Sequence, residues 1–189
     1  MPVLPPAQPL RDGAVALRPW RLEDARFLAA RIDGDAAISE FLDQIPQPYT
    51  LENALTYLTS CEESWRTGEN SNFAILVDGV DGPAGSLGVH WKGHIDDGVA
   101  EIGYWIAEPA RGRGVTTAAV RLAVPWAFGA EPRLQRLQLR AAADNRGSNR
   151  VAEKAGFTRE GILRSAHWNA RLGRRVDWVM WSLLRSELR

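Results

Sequence analysis

The sequence is 189 residues long, enough for one ordinary domain with a sizeable core, and 45% of it is apolar, which excludes a disordered chain. Its 23 basic and 23 acidic residues cancel, which argues against a general nucleic-acid binder, because such proteins carry a basic excess. The lone cysteine, Cys61, allows no disulfide framework within the chain and points to a reducing compartment, and no apolar run approaches the roughly 20 residues that span a bilayer.

Met1 to Pro9 is proline-rich and lacks the charged start and apolar run of a signal peptide. The expectation is a flexible lead-in over residues 1–12, a single domain over 13–189 and a cytoplasmic location. Ala14 to Arg18 alternates like a strand, which Pro19 ends. Leu22 to Ile32 has apolar residues at helical spacing, and Ala36 to Leu42 reads as a second short helix. Ile45 to Tyr49, with Pro46 and Pro48, is an extended loop. Thr50 reads as an N-cap for a helix from Leu51 to Arg66, stopped by Gly68.

The period then changes. Asn72 to Val77, Ser86 to Trp91 and Val99 to Ala107 read as three strands of an antiparallel meander, with turns at Asp78 to Pro83 and Gly93 to Gly98. A helix from Val115 to Phe128 follows, and Pro125 is expected to kink it or end its regular part. Leu134 to Ala141 is a strand, and Ser148 to Ala155 a short helix stopped by Gly156. Phe157 to Leu163 and Arg175 to Leu184 read as the last two strands, joined by a loop at Asn169 to Gly173. This order gives one α+β domain with a single mixed, mostly antiparallel sheet of about seven strands flanked by helices.

The richest local signal is Arg111-Gly112-Arg113-Gly114-Val115-Thr116-Thr117. It joins a strand to a helix. Two glycines let the backbone approach a ligand, and the helix start offers unpaired N–H groups and the positive end of its dipole. That is a site for a phosphate or pyrophosphate, with Arg111 and Arg113 adding charge at its rim. It is not a P-loop, since no Gly-Lys-Ser/Thr ending is present. A dinucleotide fingerprint also fits poorly, because Thr117 stands where a third glycine is needed. A plain solvated turn is the alternative.

Three segments together resemble the GCN5-related N-acetyltransferase (GNAT) superfamily, in its RimJ/RimL-type branch. They are the strand Glu101-Ile102-Gly103-Tyr104-Trp105-Ile106 with its Arg-Gly-Arg-Gly join, Asp144-Asn145-Arg146-Gly147-Ser148, and Glu153-Lys154-Ala155-Gly156-Phe157. The resemblance runs from Leu17 to Asp177. It implies the GNAT fold, acetyl-CoA as co-substrate and an amine as acceptor, either a protein N-terminus or a small molecule such as an antibiotic or a polyamine. Arg111 and Gly114 match the family's pyrophosphate pattern, while Thr116 stands where a glycine or alanine is usual. Cofactor contacts are then expected from Ile106, Arg111, Gly112, Arg113, Gly114, Val115, Thr116, Thr117 and Asn145, with the pantetheine arm between the strands at 99–107 and 134–141.

Direct attack of the amine on the thioester requires it to be neutral. The resemblance implies Glu101 as the candidate base and Ser148 as the candidate proton donor to the leaving thiolate. The bland alternatives are a surface carboxylate paired with an arginine and an N-cap serine. The tyrosine that many members place late in the following helix is missing, since Ala152 occupies that position. His90 and His167 are alternative bases. His90 and His94 are four apart, but a strand–turn setting prevents a metal pair, so no metal is expected. Trp20, Trp91, Trp105 and Trp168 are candidates for an acceptor wall, and other tryptophans for core or homodimer contacts. Asp33, Asp35, Glu40 and Asp43 keep a polyamine pocket open. A CoA-binding sensor without catalysis is the competing class.

Overall fold

The computed structural model describes residues 3–91 and 95–188. His94 therefore lies outside the described residues. The strands are β1 (Leu10–Asp12), β2 (Val15–Pro19), β3 (Asn70–Val77), β4 (Gly85–His90), β5 (Val99–Ile106), β6 (Arg136–Ala142), β7 (Thr158–Asn169) and β8 (Arg174–Leu184). They form one sheet in the order β1-β2-β3-β4-β5-β6-β8-β7. All neighbours are antiparallel except β5 and β6. Among the described residues the sheet has eight strands, against the expected count of about seven. The added one, β1, lies inside the stretch read as lead-in and pairs with β2 from Leu10↔Leu17 to Asp12↔Val15.

Among the described residues five α-helices flank the sheet: α1 (Ala25–Ile32), α2 (Ala36–Phe41), α3 (Leu51–Thr67), α4 (Val115–Ala130) and α5 (Arg146–Lys154). Strand alternation sorts the core between two faces. Phe73, Ile75, Leu87, Ala100, Ile102, Leu137 and Leu139 bury against α4, whereas Ala74 packs with α1 to α3. The same alternation sends Glu101 and Trp105 of β5, and Gln138 and Arg140 of β6, toward the α1–α3 face. Thr50 caps α3 as expected, taking the N–H of Asn53 on its hydroxyl at 3.2 Å.

Pro125 does not end α4, which continues to Ala130. The reason is its position. Pro125 and Arg121 both lie on the exposed side, so water can satisfy the Arg121 carbonyl that the proline leaves without an N–H donor. Helix α5 starts at Arg146, two residues before the expected Ser148, because Asn145 is the cap: its side chain accepts from Ser148 N–H at 2.9 Å.

One feature of the sheet positions the site. Strands β5 and β6 pair only at Val99↔Arg136, Ala100↔Leu137 and Glu101↔Gln138. Beyond Glu101 they part, although β5 stays bonded to β4 through Ile106 and β6 to β8 through Ala142.

Candidate active site

The parting of β5 and β6 opens a cavity of about 830 Å³ that runs from the start of α4 to the residues just after α2. Peptide groups face into it. Ala107 N–H bonds Ala84 on the β4 side, at 2.9 Å. Alternation along the strand then turns the peptide groups of Ile106 and Tyr104 toward the opening.

At one end lies the glycine loop. Gly112 and Gly114 have φ of +72° and +75°, the left-handed region that L side chains avoid, and a Cβ at either would meet nothing within 4 Å. The constraint there is conformational, not steric. The first bond of α4 runs from Ala118 N–H to Gly114 O at 3.0 Å, so the N–H groups of Val115, Thr116 and Thr117 have no helical acceptor. Val115, Thr116 and Thr117 line the cavity with Gly112 and Gly114; Thr116 is itself buried. The loop thus presents free amides and a helix dipole to an anion.

The two arginines of the loop behave differently from each other. Arg111 is turned inward: its Nε donates to Ile106 O at 3.1 Å and its Nη2 to Asp35 Oδ2 at 2.5 Å. It therefore joins the loop to the cap of α2, where Asp35 Oδ1 accepts from Ile38 N–H at 3.1 Å. Arg113 stays exposed at the rim.

Midway along the cavity, Ser148 Oγ lies 2.9 Å from Tyr104 Oη, which also donates to the Ser148 carbonyl at 3.1 Å. Burial pushes the Tyr104 phenol up to about 12, against the opposing effect of its bond to Ser148. It stays protonated at any working pH. Ala152, where a tyrosine was missing, is fully buried. The phenol next to Ser148 arrives from β5 instead. Its residue stands in the Gly-Tyr-Trp run, and strand position alone does not show what it touches.

Glu101, Arg140, His90, Trp105, Trp178, His167, Asn169 and Asp43 line the end of the cavity away from the glycine loop. Glu101 is held by Arg140 Nη2, at 2.9 Å to Oε1 and 2.7 Å to Oε2, and by Gln138 Nε2 at 3.3 Å. It is thus a cavity-lining carboxylate and an arginine-paired one at once. His90 sits opposite Glu101 in the β4–β5 register and bonds Asn70 Oδ1 through Nδ1 at 2.9 Å. Among the four tryptophans considered as an acceptor wall, Trp105 lines the cavity. Trp91 is buried against Ser71, Trp20 against Ser86, and Trp168 is exposed. Trp178 takes part instead; the alternation that pairs it with Val176 on one face was its only signal. Cys61 is buried, and burial pushes its thiol up to about 12, which leaves no nucleophile there.

A family model described as an acetyltransferase (GNAT) domain matches residues 15–158. The chain belongs to the GNAT acetyltransferase family. Among curated proteins, "Probable N-acetyltransferase YjcK" of Bacillus subtilis (strain 168) is 36% identical over 118 residues, 61% of this chain and 64% of that one. "Ribosomal-protein-serine acetyltransferase" of Escherichia coli (strain K12) is 36% identical over 69 residues, 36% of this chain and 38% of that one. The chain therefore spans less than two thirds of either relative. Among solved structures, Mycobacterium smegmatis RimJ in complex with CoA-disulfide is 25% identical with a TM-score of 0.81, covering 100% of this chain and 88% of that one. The splayed strands, glycine loop and Asn145–Ser148 turn of this GNAT domain all fall within the matched residues.

Proposed function

We propose that this GNAT protein moves an acetyl group from acetyl-CoA to a primary amine, with the α-amino group of a protein N-terminus as acceptor. The observation that carries the proposal is the parting of β5 and β6 directly before the glycine loop. Unpaired strand edges offer N–H and C=O groups to an amide-bearing arm, as in strand addition. Free amides at the start of α4 suit a diphosphate at the far end of that arm. Acetyl-CoA has this construction, and it supplies an activated acyl group as a thioester.

Each residue then has a task. Gly112 to Thr117 bind the diphosphate, with Arg113 at the rim and Arg111 fixing the loop to α2. Asn145 sets the start of α5 and borders the arm. The Ile106 N–H, facing the opening, stabilises the oxyanion. Ser148 protonates the leaving sulfur, with Tyr104 holding its hydroxyl in place. Glu101 puts a carboxylate where the amine arrives.

Releasing the proton from an α-ammonium at pH 7 costs about 1 kcal/mol, and from a lysine-type ammonium about 4–5 kcal/mol. A site whose carboxylates are already engaged suits the easier acceptor. Asp33 accepts from Tyr49 N–H, Asp35 from Arg111, and Asp43 from His167. A polyamine pocket would leave such groups for the substrate. The names carried by the E. coli relative and by RimJ support the same choice. A cytoplasmic location and a homodimer complete the reading; among the described residues no helix is long and apolar enough to cross a membrane.

An unbiased amine screen with acetyl-CoA, following thiol release, tests it. Peptides with a free N-terminus are expected to react fastest. Tight coenzyme binding by calorimetry with no turnover of any amine would favour the sensor reading, to which the apolar Ala152 lends some support.

A further inference from the structure

The acceptor end of the cavity contains a titratable pair to which acetyl transfer has so far given no task. Asp43, just past α2, accepts from His167 Nε2 at 3.0 Å and from Ala170 N–H at 2.8 Å. Its side chain is 8% exposed. Burial works to raise its carboxyl, yet the bonds from Ala170 and His167 prevail and hold it below the usual carboxylate range. An ionised carboxylate can only accept a hydrogen bond. Nε2 of His167 therefore carries a proton, and in the neutral ring Nδ1 keeps its lone pair. Nδ1 makes no hydrogen bond among the described residues.

The ring is also fixed from its flat side. It stacks on Trp178 with centroids 5.1 Å apart and an interplanar angle of 17°. Trp178 in turn carries the Arg140 guanidinium, 4.5 Å from its ring centre, and Arg140 holds Glu101. Asp43, His167, Trp178, Arg140 and Glu101 thus form one continuous wall of the cavity.

Backbone irregularity delivers the histidine to this wall. The β7–β8 register shifts between Leu163 and His167. Within the shift Ser165 has φ of 53°, a conformation that costs a non-glycine residue on the order of 1 kcal/mol. Asp177 holds it through Ser165 N–H at 2.7 Å, and Arg175 Nε through Ser165 Oγ at 2.8 Å. From Leu163↔Trp178 to His167↔Val176, β7 advances four residues and β8 two, so the two extra β7 residues bulge out and His167 returns on the face that carries Trp178.

We infer that His167, oriented by Asp43, takes the proton from the acceptor amine, while Glu101, tied to Arg140, anchors the site rather than acting as its base. This rests on the acetyl-transfer function proposed above. Glu101 is poorly placed for proton transfer, since Arg140 engages both of its oxygens and Gln138 one of them. The other charged groups on this cavity end are Asp43 from the α2 side, the Arg140–Glu101 pair from β6 and β5, and His90 from β4; Arg175 of β8 is turned to Ser165. In the step, the N–C bond forms as the C–S bond breaks. The nitrogen passes one proton to His167 Nδ1. The sulfur leaves with the electron pair and takes one proton from Ser148. Solvent then reprotonates Ser148 and receives the proton from His167.

The test uses the full chain, acetyl-CoA and two acceptors: a hexapeptide with an N-terminal serine, and aniline, which is uncharged across the assayed range. His167→Gln is expected to lower kcat/KM for the peptide about 100-fold and to leave an acidic limb with the slope of one proton, that of the peptide's own α-ammonium, in place of a steeper native limb. KM for acetyl-CoA should be unchanged, and the loss with aniline should stay below about threefold, because the cation formed from aniline on attack sheds its proton to water unaided. Asp43→Asn should lower kcat/KM for the peptide by less than His167→Gln does, since its amide oxygen can still accept from Nε2 and hold the ring. Glu101→Gln should keep the limb in place. If His167→Gln works within threefold of the native protein, or if it is Glu101→Gln that reduces the limb to the slope of one proton, the base assignment alone falls. If the native protein binds acetyl-CoA and acetylates no amine, both the assignment and the function fall.

Discussion

Ser148 and Asn145 share one turn, and their side chains have separable tasks. Asn145 Oδ1 caps α5 by accepting from Ser148 N–H, so the Ser148 hydroxyl is spare for chemistry. Ser148→Ala is expected to slow acetyl transfer by roughly tenfold or more while leaving the urea midpoint nearly unchanged. Asn145→Ala should do the reverse in part: it removes a cap and costs about 1 kcal/mol of stability, read by urea unfolding. Tyr104→Phe keeps the buried ring and removes only the hydroxyl that touches Ser148. Its turnover should fall between native and Ser148→Ala. The sequence pattern shows Ser148 and Asn145, since both stand in a recognisable run three residues apart. It does not show Tyr104 beside them, because that contact joins residues 44 apart through the sheet. The Asp43–His167 pair, 124 residues apart, is hidden for the same reason.

At the scale of elements, the period of the apolar residues separates helices from strands, and capping residues place most ends. Thr50 announces α3, and the paired glycines announce the start of α4. Bounds fail where a tertiary circumstance overrides a local rule. Pro125 sits mid-helix because its side of α4 faces water, not because proline fits there. Pro125→Ala restores an N–H to the Arg121 carbonyl. It is expected to stabilise the protein by about 2 kcal/mol: the helix gain of roughly 3, less the lost unfolded-state restriction of under 1. Thermal or urea unfolding reads this directly, and a destabilised variant would show that α4 depends on the proline. Gly114→Ala takes the opposite direction. Forcing a Cβ to φ of +75° costs about 1–2 kcal/mol, and any relaxation of the loop turns its amides away from the diphosphate. Calorimetry should show weaker acetyl-CoA binding in that variant beyond its loss of stability.

For the whole molecule, the succession of helices and strands gives the α+β class, but the placement of β8 between β6 and β7 follows only from long-range pairing. That edge is stitched by charge. Glu160 of β7 reaches across β8 to Arg136 of β6, with both oxygens at 2.6 Å, and accepts from Ser182 of β8 at 2.7 Å. Arg136 first, and Ser182 second, hold its carboxyl down at about 2. Glu131 is likewise lowered, by Arg133 against the opposing effect of burial, and Asp43 by Ala170 and His167 against a larger opposing effect of burial. In the unfolded chain such groups titrate near 4. A carboxyl lowered on folding adds stability that is complete above its unfolded value and is lost as pH falls through its folded one. Stability should therefore be flat near neutrality and decline between about pH 4.5 and 2. The Glu160 side chain is 40% exposed, so solvent screening limits its share to about 1 kcal/mol or less. Glu160→Gln should accordingly lose a fraction of a kcal/mol at pH 7 and decline less steeply below pH 4.5, with the two curves meeting near pH 2. Urea midpoints measured across that range decide it: parallel curves for the two proteins would mean that the β6–β8–β7 stitch contributes packing and no charge.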